Sequence, residues 1–138
     1  MFFMLELRRL SIFGALIALL LGGASTAREH AQVVRSPVTV KGFIGGESHD
    51  TYVIHAVAAQ TMTVSISWKP EHDPDTGDNH AEFWVEPLDD FNGDRAVKFG
   101  QESKDGKSWS AAIPKTGDYY IDVMAHPTAH YTLKVRVK

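Results

Sequence analysis

The sequence predicts an all-β protein: a single-domain β-sandwich, jelly-roll or Greek-key in type, of about eight short antiparallel strands. Three observations predict it. After Ala27 no segment carries a long apolar pattern of period 3.6. In its place come short runs that alternate apolar and polar residues, bounded by Gly, Pro, Asp and Asn. The chain has 138 residues, 43% of them hydrophobic, which suits one packed core and not two full domains.

The chain opens on an export signal. Met1–Ala27 reads as a signal peptide, with Arg8 and Arg9 ahead of an apolar stretch from Leu10 to Leu21 that only Ser11 and Gly14 interrupt. That stretch falls short of the roughly 20 apolar residues that span a bilayer as a helix. Ser25-Thr26-Ala27 places small residues for cleavage after Ala27. With no cysteine there is no lipoprotein anchor, and no membrane association is expected once the signal is cut. The expected location is the periplasm, or the medium beyond it. The expected organisation is a signal over 1–27, a flexible lead over 28–36 and the sandwich over 37–138. Removing the signal takes away Glu6, Arg8 and Arg9, and the formal charge moves from −3 to −4.

The strands come in order along the chain. Val38–Phe43 is the first, and Asp50–Val57 the second, with Tyr52, Ile54 and Ala56 on one face. Thr61–Trp68 alternates cleanly, so Met62, Val64, Ile66 and Trp68 face the core. Pro70–Asn79 is a turn-rich acidic loop. Ala81–Glu86 is a strand with Phe83 and Val85 opposite Trp84, and Pro87–Asp94 is a second acidic loop containing the turn pair Asn92-Gly93. Arg95–Phe99 and Lys107–Ile113 are weaker strands around the turn Lys104-Asp105-Gly106. Asp118–Met124 and His130–Val137 complete the set, and the expected core includes Tyr52, Val64, Ile66, Trp68, Phe83, Val123, Leu133 and Val135.

Composition and motifs exclude more than they assign. The acidic balance argues against nucleic acid as a partner, since phosphate binding needs a basic face. There is no G-x-S-x-G elbow and no H-E-x-x-H zinc motif, and no catalytic residue is assigned. Gly100–Ser108 has five residues between its glycines where a phosphate cradle needs four, and reads as a hairpin turn. No cofactor is expected. The weak metal candidate is the loop His72–His80, where Asp73, Asp75 and Asp78 offer oxygen ligands for Ca²⁺ and two histidines suit a transition metal. The EF-hand pattern fails there, which favours a solvated loop. The seven histidines are scattered, and His55 and His130 read as packing or edge residues.

Two motifs carry a resemblance. One is Ile44-Gly45-Gly46-Glu47-Ser48-His49-Asp50-Thr51-Tyr52-Val53-Ile54, followed by Ala58-Ala59-Gln60-Thr61-Met62-Thr63-Val64. The other is Pro114-Lys115-Thr116-Gly117-Asp118-Tyr119-Tyr120-Ile121-Asp122-Val123, followed by Ala129–Val135. Together they resemble the bacterial pre-peptidase C-terminal domain, and within that group the periplasmic inhibitors of g-type lysozyme. The resemblance covers most of Val38–Lys138. It implies a β-sandwich, no catalysis, and a g-type lysozyme as protein partner. It also implies an inhibitory loop at Thr116, Gly117, Asp118, Tyr119 and Tyr120, with Thr116 where the family has Ser. The broader alternative is an envelope binding module for glycan, peptide or protein. Ala59 stands where the pattern has Gly, which predicts a turn of different geometry.

Overall fold

The computed structural model describes residues 31–46, 48–87 and 100–138. The expected export signal, the Asp89–Asp94 part of the second acidic loop, its Asn92-Gly93 turn and the strand expected at Arg95–Phe99 lie outside the described residues. Eleven strands form among the described ones: β1 (Gln32–Val34), β2 (Val38–Gly45), β3 (Asp50–Ala56), β4 (Thr61–Trp68), β5 (His72–Asp73), β6 (Gly77–Asp78), β7 (His80–Pro87), β8 (Gln101–Glu102), β9 (Ser108–Ala112), β10 (Gly117–His126) and β11 (Thr128–Val137). They make a four-stranded sheet in the order β1-β3-β10-β7, a five-stranded sheet in the order β2-β11-β4-β9-β8, and a separate β5-β6 hairpin.

The alternation seen in the sequence becomes burial. Met62, Val64 and Ile66 of β4, Phe83 and Val85 of β7, Ile121 and Val123 of β10, and Leu133 and Val135 of β11 all point into one core between the sheets. Each of these strands therefore has one dry and one wet face, which fixes its register, since a slip of one residue would turn the apolar set outward. Trp68 departs from the expected core position. It lies half-buried at the edge, where Lys107 Nζ sits 4.6 Å above its ring and its Nε1 donates to the Asn79 carbonyl at 3.1 Å. At the edge the ring buries its apolar body while its N–H reaches a backbone acceptor.

Two further expectations are corrected. The lead over 28–36 contains β1, which runs parallel to β3 with Val34 opposite Ile54 and buried. Ser36 anchors the entry to β2: its Oγ accepts from Val137 N at 2.6 Å and donates to Val137 O at 3.2 Å. The loop over Pro70–Asn79 folds into the β5-β6 hairpin and is pinned by Asn79, one of the buried polar residues. Asn79 Oδ1 accepts from Glu71 N, and its Nδ2 donates to the carbonyls of Lys69 and Thr128. The Gly100–Ser108 segment is a hairpin turn as expected, with β8 pairing β9.

Candidate functional site

The Thr116–Tyr120 segment begins at one end of the sandwich and runs into β10. Pro114 cannot donate to a ladder, so β9 ends just before it. The chain crosses between sheets and re-enters one where Gly117 pairs Ala56, Asp118 pairs His55 and Tyr119 pairs Ile54. The β3–β4 turn lies beside it. Ala59 N donates to Ile113 O at 2.9 Å, Ile113 N donates to Gln60 O at 2.7 Å, and Gln60 Oε1 caps Val57 N at 2.7 Å. Ala59 takes the left-handed conformation, φ 72°, so this turn keeps the backbone that glycine adopts without strain.

The five loop residues divide by direction. Thr116 is exposed, and its Oγ1 accepts from Ala58 N at 2.9 Å, tying the two turns together. Asp118 Oδ1 lies 2.9 Å from His55 Nδ1 on the outer face, and both side chains remain substantially exposed. Tyr120 is half-buried on that same outer face. Tyr119 turns the other way. Its ring is 2% exposed in the core, and its hydroxyl donates to the Lys115 carbonyl at 2.6 Å. It therefore holds the turn in shape from beneath, while Thr116, Gly117, Asp118 and Tyr120 form what a partner can meet.

Motif reading missed the rest of this surface. His55 faces solvent against Asp118, and Val57, 48% exposed, leads into the neighbouring turn. The β3–β10 register places His55 beside Asp118, and its one signal in the sequence was its opposite parity to Ile54 and Ala56. His130 is likewise exposed and lies against Phe43, ring centroids 4.6 Å apart.

The acidic hairpin behaves as local structure. Asp73 Oδ1 accepts from the backbone N–H of Asp75 and of Thr76, and these bonds hold its carboxyl below the usual range. Asp78 Oδ1 lies 2.7 Å from His72 Nδ1. Among the described residues, Asp73, Asp75 and Asp78 do not assemble three ligand atoms within 4.8 Å of one another.

Beyond the loop, the outer face of the four-stranded sheet is acidic and aromatic. Asp122 stands opposite Trp84, and Tyr120 opposite Glu86. The outer face of the five-stranded sheet differs in character. Across β2, β11, β4 and β9 it presents Lys41, Lys134 and Arg136 among threonines and serines, and no carboxylate among the described outward positions of those four strands.

The fold is shared with the PliG inhibitors and with a pre-peptidase C-terminal domain. PliG of Aeromonas hydrophila, a periplasmic lysozyme inhibitor of g-type lysozyme, matches with a TM-score of 0.56 at 25% identity, over 78% of this chain and 99% of that one. The pre-peptidase C-terminal domain of collagenase from Bacillus anthracis matches with a TM-score of 0.54 at 23% identity, over 77% of this chain and 94% of the other. PliG of Salmonella Typhimurium matches with a TM-score of 0.51 at 17% identity, over 78% and 99%. No family model matches the chain, and no curated protein matches it by sequence. The likeness to PliG of Aeromonas hydrophila supports a binding role. Among the described residues no helix is long and apolar enough to cross a membrane.

Proposed function

We propose that this chain is an exported inhibitor of a g-type lysozyme, cleaved after Ala27 and acting in the periplasm by putting the Thr116–Tyr120 turn into the enzyme's cleft. The observation that carries this reading is the turn itself. It presents Thr116, Gly117 and Asp118 outward from one end of a fold shared with PliG, and Tyr119 braces it from the core. Gly117 has nothing within 4 Å of the position a Cβ would take, so the turn offers a narrow, open edge to a cleft. Wall-degrading lysozymes are usually basic, and the acidic outer face that continues from Asp118 suits such a partner.

A lysis assay with g-, c- and i-type lysozymes tests the reading. Excess protein is expected to stop the g-type enzyme and spare the others. Asp118→Ala combined with Thr116→Ala is expected to weaken inhibition at least about tenfold, as the loss of central interface contacts does. Full g-type activity at excess protein overturns the function, and unchanged inhibition by the double variant overturns the site.

A second reading is an envelope module that binds an anionic glycan. The observation favouring it is the basic outer face of β11 and β4, where Lys134 and Arg136 border a shallow depression of about 730 Å³ lined by Thr61, Thr63 and Ser65. Binding to anionic glycans without lysozyme inhibition would select it.

A further inference from the structure

The paired strands β7 and β10 bring together three metal-ligating side chains from distant parts of the sequence. The ladder sets His80 opposite His126 and Glu82 opposite Met124, so Glu82 is the diagonal neighbour of His126. Ala81, Phe83 and Ala125 are buried, so parity turns His80, Glu82 and His126 to the outer face together. His126 Nε2 lies 3.1 Å from Glu82 Oε1, and the two imidazoles stack with centroids 5.0 Å apart and planes at 29°. One ligand atom from each of the three falls within 4.8 Å of the other two.

We propose that His80, Glu82 and His126 form a surface site for a borderline divalent cation of the Zn²⁺ type. The donor set decides the class. Two imidazole nitrogens and one carboxylate oxygen suit zinc and its neighbours in the first transition row. Calcium takes six to eight oxygens, and the cluster offers too few. Tetrahedral ligands about 2.1 Å from zinc stand about 3.4 Å from one another. His126 Nε2 and Glu82 Oε1, 3.1 Å apart, already stand near that spacing, and His80, whose ligand nitrogen lies within 4.8 Å of the other two ligand atoms, is brought in by small side-chain rotations while the β7–β10 ladder holds the backbones. Three protein ligands leave a fourth position facing solvent, for water or for a group on a docking partner.

The site stands independently of any lysozyme. It is tested on the full chain, purified without a polyhistidine tag, by calorimetric titration with ZnCl₂ and by imidazole proton shifts in NMR. One zinc per chain is expected, with shifts at His80 and His126 and none at His55. CaCl₂ is expected to give no heat. His126→Ala and Glu82→Gln should each weaken zinc at least about tenfold, since losing even a residue that only orients a ligand costs that much. His72→Ala, which disrupts a different exposed histidine–carboxylate pair on the β5-β6 hairpin, should leave affinity unchanged. The proposal is overturned if no zinc binds, if binding survives His80→Ala with His126→Ala, or if His72→Ala removes it. Should a variant fail to fold, the NMR shifts in the unaltered chain decide alone.

Discussion

Tyr131 shows how one side chain joins the two sheets. It rises from β11 over Gly42 of the neighbouring strand and meets the Tyr52 hydroxyl of the facing sheet, while its own hydroxyl donates to Asp50. A Cβ on residue 42 would stand 2.5 Å from the Tyr131 oxygen, so only glycine lets the ring lie there. Burial, and then the bonds to Asp50 and Tyr52, push the Tyr131 phenol far above its ordinary 10.0, and burial also raises Tyr52. The folded chain holds these protons more tightly than the unfolded one, so their contribution is complete below 10.0 and is lost as pH rises beyond it. Tyr131→Phe should cost about 1–3 kcal/mol in urea unfolding at neutral pH, because Asp50 and Tyr52 lose a buried partner. It should also flatten the fall in stability above about pH 10. An unchanged alkaline profile would show that Tyr131 is not the group responsible.

At the scale of elements, the difference between what the sequence announces and what it conceals comes down to range. β4, β7, β10 and β11 are legible because each carries its own alternation, and that alternation is what burial selects. Tyr119 was legible by the same rule, since it shares parity with Ile121 and Val123, but motif reading treats it as a surface contact. β1 was not legible: three residues say little alone, and its order comes from β3 and from Ser36 bonding Val137 across 101 positions. The His80–Glu82–His126 cluster was hidden for the same reason, because it exists only in the β7–β10 register. The β5-β6 hairpin is held by Asn79, whose amide serves three backbone groups on two other segments. Asn79→Ala leaves those groups without their partner and should cost about 1–3 kcal/mol in chemical denaturation. If the hairpin is only a solvated loop, the cost will be within about 0.5 kcal/mol.

For the whole molecule, charge is divided between two faces and the net value conceals it. A formal −3 suggests a mildly acidic surface everywhere. In the structure, Asp118, Asp122, Glu82 and Glu86 gather on one outer face with Tyr120 and Trp84, and Lys41, Lys134 and Arg136 gather on the other. A basic partner approaching such a molecule is drawn to one side of it, which orients the encounter before any contact forms. The direction of docking therefore becomes measurable through association rates. With a g-type lysozyme, Glu86→Lys should slow association several-fold, and raising salt should erase the difference as screening shortens to about 8 Å at physiological strength. Lys134→Glu makes an opposite change in net charge on the far face, and should leave the rate the same or slightly faster. If net charge alone governs the encounter, Lys134→Glu will accelerate it as much as Glu86→Lys slows it, and the oriented approach is wrong. If Lys134→Glu speeds it several-fold while Glu86→Lys does nothing, the basic partner docks on the five-stranded sheet instead.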